Sequence, residues 1–323
     1  MKDASRQPSF RSSRVRRWTA YLWREAIFGN RRPIASAFTK PKPAQWSGER
    51  LTAAWLGHAT VLINFFGVWI VTDPALFARV GIRLPGITIG PKRLTAPALS
   101  IHELPRIDLI LLSHAHFDHF DLRTLHHFDF STKVVTAPRT KDLLRWTRLR
   151  EVTELRWGEK KSISTPAGNI NVTAFRVEHW GARMHRDNYR GYNGYILERN
   201  GHRIIFGGDT AMTDSFAELR SYGRIDLAIM SIGCYNPWIR THCNPEEAVQ
   251  MTDYAGAQFI MPVHHQTFRL SFEPFREPIE RFESALRKTP ERIALREIGE
   301  TFVLPLQHRE TDAHLLLSSR VPG

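Results

Sequence analysis

The stretch "LLSHAHFDHFD", Leu111 to Asp121, decides the reading of this chain. An apolar run predicted as a strand over 107–112 stops abruptly in three histidines and two aspartates. Imidazole and carboxylate are ligands for a borderline divalent ion and need no thiolate beside them. In an extended or tightly turning loop His114 and His116 can point to one side, while Asp118 and His119 reach a second position close by. Four ligand-type side chains within six residues crowd a single tetrahedral site and suit two neighbouring metals sharing a water.

Two clustered ligands per metal are too few, so other segments must contribute. The candidates also stand at the ends of predicted strands: Glu178-His179 after one, Gly207-Gly208-Asp209 after another, and His264-His265 after a third. Glycines before Asp209 allow close backbone approach. Ligands arriving from several strand ends point to one shared rim.

Outward from this motif, the pattern is of short apolar runs between polar turns. Strands are expected at 51–64, 68–72 (turning at Phe66-Gly67), 107–112, 133–136, 170–177, 191–198, 203–206, 227–232, 259–263 and 301–304. Helices are expected at 122–128, 141–149, 213–222, 245–255 and 276–288. The helix at Pro245 has the clearest start, with Asn244 as N-cap and Glu246 and Glu247 at the positive dipole end. A Gly- and Pro-rich stretch over 75–105 is too long for an ordinary connection, and such loops are usually functional. Two mixed sheets facing each other under outer helices would bury these runs.

The chain has 323 residues, 42 % hydrophobic and 24 % charged, and a net charge of +13. Residues 1–45 hold eleven Lys or Arg against two acidic residues, a net of +9, and form a basic arm. The expected organisation is that arm (1–45), a catalytic domain (46–310) and a tail (311–323). Trp18, Tyr21, Leu22, Trp23, Ile27 and Phe28 lie among the arm's arginines, so it could rest on a membrane surface. Charge interrupts its apolar residues too soon for a secretory signal or a twin-arginine signal. No run approaches the roughly 18 apolar residues of a spanning helix. Cys234 and Cys243, the only cysteines, give no disulfide framework and fit a reducing compartment. A cytoplasmic protein, peripheral at the membrane, is expected.

The order HxHxDH, then His, Asp and His, resembles the metallo-β-lactamase superfamily, whose fold is a four-layer αββα sandwich with a dinuclear site at one edge. More narrowly, the chain resembles the N-acylphosphatidylethanolamine-hydrolysing phospholipase D branch. This likeness rests on Trp55-Leu-Gly-His-Ala-Thr60, Thr72-Asp-Pro74, Gly90-Pro-Lys-Arg93, Glu103-Leu-Pro105, Ser113 to His119, His179-Trp180, Gly208-Asp-Thr210, Asn244 to Ala248, and the His264 segment with Thr267-Phe268. It covers about residues 50–275.

Carried over by position, the resemblance implies that His114, His116 and His179 hold one metal, that Asp118, His119 and His264 hold the other, and that Asp209 bridges them. The family places Trp where this chain has His265, so His264 is taken as the ligand. Asp73 is expected to orient a ligand histidine, and His58 is similarly placed. His242 matches a family position near the substrate and is a candidate for positioning or proton transfer. Asp118 and Asp209 are the other candidates for taking a proton. Arg183, Lys92 and Arg93 are candidates for holding a phosphate. The implied cofactors are two zinc ions per chain, with manganese or iron also suited to these ligands.

The implied activity is metal-dependent hydrolysis of a phosphodiester in a phospholipid. The alternatives are a lactonase or other ester hydrolase on the same metals, and a nuclease suggested by charge alone. Against the last, the arm carries no recognisable nucleic-acid motif and most of the charge lies outside the catalytic region; steeply salt-dependent binding would mark it. The sequence leaves the oligomeric state open.

Overall fold

The structure, a computed structural model, describes residues 32–184 and 187–306. Residues 1–31 of the predicted basic arm, including its aromatic stretch, and the tail from 307 lie outside the described residues. Residues 32–45 run along the domain surface. Ala35 bridges to Thr95, and the Phe38 N–H donates to the Ile298 carbonyl.

The first half of the described chain builds β1 (Leu51–Gly57), β2 (Thr60–Phe65), β3 (Val68–Thr72), β4 (Ile82–Leu84), β5 (Ile87–Ile89), β6 (Leu109–Leu112), β7 (Lys133–Thr136) and β8 (Val152–Glu154). The second half builds β9 (Lys160–Thr165), β10 (Gly168–Phe175), β11 (Gly194–Arg199), β12 (His202–Phe206), β13 (Ile225–Ser231), β14 (Ala257–Val263) and β15 (Thr301–Val303). Among the described residues the α-helices are α1 (Leu122–Leu125), α2 (Pro245–Ala255) and α3 (Glu277–Ala285).

Two mixed sheets form the body. One has the order β15-β1-β2-β3-β6-β7-β8, the other β14-β13-β12-β11-β10-β9. Alternation along the strands explains the layering. In the second sheet Tyr195, Leu197, Ile204, Phe206, Leu227 and Ile229 join the core shared with the first sheet. Their neighbours Ile196, Ile205, Ala228 and Met230 face the other way, into a second core with Val249 and Met251 of α2 and Ile279 and Phe282 of α3. In the first sheet all four residues of β6 are buried in the central core, as the continuous apolar run requires of a strand covered on both faces.

Within the first sheet β3, β6, β7 and β8 are parallel, and within the second β12, β13 and β14 are parallel. Parallel strands end together, so β3, β6, β12 and β14 deliver Asp73, the histidine motif, Asp209 and His264 to one rim. α2 starts as its sequence predicts: Asn244 accepts from the Glu247 N–H, and the Glu247 carboxylate accepts from the Asn244 N–H.

Three expectations need correction. The strand expected over 51–64 is two antiparallel strands, because the chain reverses at Gly57 (φ 113°) and His58 (φ 55°). The reversal is held by the Trp55 indole N–H on the His58 carbonyl (2.6 Å) and the His58 N–H on the Thr267 hydroxyl (2.6 Å). The helices expected over 141–149 and 213–222 are 3₁₀ segments, Lys141–Trp146 and Asp214–Tyr222. The long loop over 75–105 contains a separate two-stranded hairpin, β4–β5.

Candidate metal centre

Seven of the predicted side chains converge at the rim with one carboxylate oxygen at their middle. Asp209 Oδ2 lies 3.0 Å from His119 Nε2, 3.2 Å from His264 Nε2, 3.8 Å from His242 Nδ1, and 4.0 Å from both His114 Nε2 and His179 Nε2. On one side His114 Nε2 and His179 Nε2 stand 2.8 and 3.3 Å from His116 Nδ1. On the other, His264 Nε2 is 3.1 Å from His119 Nε2, and Asp118 Oδ2 is 3.6 and 3.7 Å from the same two nitrogens.

Local backbone chemistry makes this convergence possible. Gly208 has φ 58°, and a Cβ there would stand 2.8 Å from the Ser113 Cβ. A side chain at 208 would push the β12 end away from the histidine motif, so the glycine sets how closely the two sheets' rims approach. His264 sits at φ 64°, with its N–H on the His58 carbonyl at 3.0 Å. The reversal that splits the first predicted strand therefore also holds a histidine of the rim.

The outward ring nitrogens of His119, His179 and His114 are fixed by partners. His119 Nδ1 donates to Asp73 at 2.7 Å, and Asp73 also accepts from the Ser113 N–H at 2.7 Å. His179 Nδ1 donates to the Thr241 carbonyl at 2.7 Å, and His114 Nδ1 lies 2.8 Å from the Ser113 hydroxyl. Ser231 donates to Asp209 Oδ1 at 2.7 Å, which leaves Oδ2 for the centre. His58 Nε2 meets Asp118 Oδ2 at 2.9 Å. The sequence reading did not assign Ser113, Thr241 or Ser231. Ser231 had one signal, as a hydroxyl closing the apolar β13 at the same rim.

The phosphate candidates sit elsewhere. Arg93 is fully buried, donating to the carbonyls of Ala75 and Phe77 and lying 4.8 Å from the Phe268 ring centroid. The Lys92 ammonium donates to the Arg32 carbonyl. Arg183 donates to the carbonyls of Ala115 (3.0 Å) and Phe120 (2.8 Å) and covers Phe117. It braces the histidine motif from behind. His265 stacks against Trp55 at 4.5 Å, away from the converging nitrogens. Trp180, half exposed, stands edge-on to His116 at 4.7 Å and forms one lip of the site.

A family model described as "Beta-lactamase superfamily domain" matches residues 68–265, from β3 through the last histidines. The chain belongs to the metallo-β-lactamase superfamily. Among its relatives, an uncharacterized protein of Mycobacterium tuberculosis is 31 % identical over 290 residues, 87 % of this chain and 72 % of the relative. An N-acyl-phosphatidylethanolamine-hydrolyzing phospholipase D of Caenorhabditis elegans is 30 % identical over 251 residues, 73 % of this chain and 70 % of the relative. Among solved structures, a metallo hydrolase from the archaeon Ignicoccus hospitalis superposes with a TM-score of 0.60 at 18 % identity, covering 80 % of this chain and 99 % of that one. This member of the superfamily is a metal-dependent hydrolase with a histidine–aspartate metal site.

The residues fit a pair of divalent ions. Imidazole nitrogens bound to one tetrahedral zinc at about 2.0–2.1 Å stand roughly 3.3 Å apart, close to the 3.1 and 3.3 Å seen for the His119–His264 and His116–His179 pairs. The donors are all His and Asp, with none of the thiolates common in structural zinc sites. Electrostatics agree. Burial pushes the His114 ring well below its ordinary range and His116 to about 3, so both present lone pairs. Burial alone would raise Asp209 and Asp118, but the surrounding imidazoles outweigh it and hold both carboxylates well below their usual range. For His264 burial is opposed and overcome by Asp209 and Asp118, which bring it to about 9.

Proposed function

We propose that this protein is a phosphodiesterase acting on a phospholipid, of the N-acylphosphatidylethanolamine-hydrolysing phospholipase D type, with two zinc ions per chain. The observation that carries the reading is the pair of donor clusters sharing Asp209 Oδ2. The likeness to the C. elegans phospholipase supplies the substrate class. His114, His116 and His179 would hold one ion, Asp118, His119 and His264 the other, with Asp209 between them. When bound, the ions supply Lewis acidity and a water-derived nucleophile at neutral pH.

The chain's own residues then position and move protons. Asp118, held by His58, faces the second cluster and can take the proton of the attacking water. His242 Nδ1 is buried with no hydrogen-bond partner, 3.8 Å from Asp209, and its ring, kept neutral by burial, can hold the leaving alkoxide in place or accept a proton in transfer. Trp180 at the lip screens the first cluster from solvent and offers an apolar surface to the substrate. The products would be phosphatidic acid and the N-acylated ethanolamine.

The test is release of phosphatidic acid from N-acylphosphatidylethanolamine vesicles by metal-loaded protein. Release that is lost in the His242→Ala and Asp118→Asn variants is expected. Absence of any phosphodiester cleavage, with ring opening of a lactone panel instead, would replace this reading by the ester-hydrolase one.

A further inference from the structure

The β4–β5 hairpin is built against the usual rule for a half-buried ribbon. Cross-strand pairs are Ile82 with Ile89 and Leu84 with Ile87, with Arg83 opposite Thr88 between them. Side chains alternate along a strand, so the four aliphatic residues share one face. That face looks into solvent: their exposures are 44 % for Ile82, 46 % for Leu84, 54 % for Ile87 and 42 % for Ile89. Among the described residues the hairpin pairs with no other strand, and an isolated two-stranded ribbon is marginal in water.

The chain nevertheless fixes its shape. Pro85-Gly86 makes the turn, with Gly86 at φ 76°. At the base, a Cβ on Gly81 would come within 2.1 Å of the Ile89 carbonyl, and one on Gly90 equally close to that of Val80. These glycines let the strands close at their root.

The opposite face is polar and borders a groove behind the histidine motif. Arg83 and Thr88, with an edge of Ile82, border a groove of about 500 Å³ whose far wall includes Arg123, Arg183 and Phe117, the residue between His116 and Asp118. Arginines outnumber its one carboxylate, Asp121, which is engaged in capping α1. Exposed Trp146 and Met184 complete the rim.

We propose that this hairpin docks the protein on an anionic phospholipid bilayer, with Ile82, Leu84, Ile87 and Ile89 entering the interface and the arginine-lined groove behind them receiving phosphate headgroups. Aliphatic side chains flanked by cations match the chemistry of such a surface. Four half-exposed side chains offer far less than the roughly 800 Å² per partner of a stable protein interface, which disfavours a second copy as the occupant. The docking step stands by itself; only delivery of the headgroup to the metals rests on the phospholipase reading above.

The full chain is sedimented with vesicles of phosphatidylcholine plus phosphatidylglycerol, neither of them the proposed substrate, and with phosphatidylcholine alone. Binding to the anionic vesicles is expected to fall roughly tenfold or more in Leu84→Ser/Ile87→Ser, with an unchanged melting temperature, and to weaken in Arg83→Gln. An environment-sensitive dye on Ile87→Cys, selective because Cys234 and Cys243 are buried, should report an apolar setting when vesicles are added. Wild-type binding that survives the double substitution, or a dye that stays in water, would overturn the proposal. So would a dimer that the double substitution dissolves. Hairpin-dependent binding without hydrolysis of N-acylphosphatidylethanolamine would refute the substrate and leave the docking surface standing.

Discussion

Replacing Asp73 with asparagine isolates the contribution of a residue that is expected to touch no metal. Its carboxylate is buried and accepts from His119 Nδ1 at 2.7 Å, from the Ser113 N–H at 2.7 Å, and from the Ser113 hydroxyl. Asparagine keeps the shape but only one acceptor oxygen. If that oxygen serves the Ser113 N–H, an amide NH₂ faces His119 Nδ1. The imidazole must then move or carry its proton on Nε2, the atom that points at Asp209 and His264. Outer-shell changes of this kind cost about 1.4–2.7 kcal/mol, or 10–100-fold in metal affinity. The loss should fall mainly on the second site, which Asp73 holds directly through His119, and reach the first only through the Ser113 hydroxyl that links Asp73 to His114 Nδ1. Asp73→Ala should add about 1–3 kcal/mol of lost stability by leaving the buried Ser113 N–H without its acceptor. Zinc titration against a competing chromophoric chelator resolves the two sites. A change of less than about threefold in both affinities, in an Asp73→Asn protein that melts normally, would refute the tautomer reasoning.

Gly208→Ala should destabilise the fold by about 1–3 kcal/mol and loosen metal retention, since its Cβ would press on Ser113 from a left-handed backbone; thermal melting with and without zinc checks both. Metal uptake should release protons and tighten as pH rises toward 9, because Asp209 and Asp118 raise the His264 pKa to about 9 against burial. The metal-free ring is then protonated below that pH and must give up its proton to bind; calorimetry in buffers of different ionisation enthalpy counts the protons. Arg183→Met, which removes the guanidinium from over Phe117 together with the bonds to Ala115 and Phe120, should cost about 2–4 kcal/mol in denaturant unfolding, less than two fully buried charge-assisted bonds because the side chain is partly exposed.

Much of this rim was legible in the sequence because ligand chemistry and strand periodicity coincide. An apolar run such as Ile107–Leu112 must be buried, so the histidines that follow it must emerge at an edge. Repetition of that pattern at Asp209 and His264 pointed to a common edge before any topology was known. Positive φ was harder to foresee. His58 looks like a mid-strand residue, yet together with Gly57 it reverses the chain, and nothing in its local propensity demands that. The two 3₁₀ segments carry helical composition, and nothing in it separates i+3 from i+4 hydrogen bonding. The arginines show a different limit. Arg93 and Arg183 read by charge alone as ligands for a phosphate at the metals, whereas Arg93 and the Nη1 of Arg183 satisfy buried carbonyls that only tertiary structure exposes. For the same reason Thr241 was invisible and Ser231 had only its place at the end of β13 to mark it, since each acts on a residue distant in sequence.

The most direct test is the metal content of protein reconstituted with zinc and freed of loose ions, measured by plasma mass spectrometry for the wild type and for Asp209→Ala. Two ions per chain are expected in the wild type, because the His114/His116/His179 and Asp118/His119/His264 groups both face Asp209 Oδ2. Removing that shared oxygen should leave at most one. A wild type that retains one ion or none, or an Asp209→Ala protein that still holds two, would contradict a centre built around Asp209.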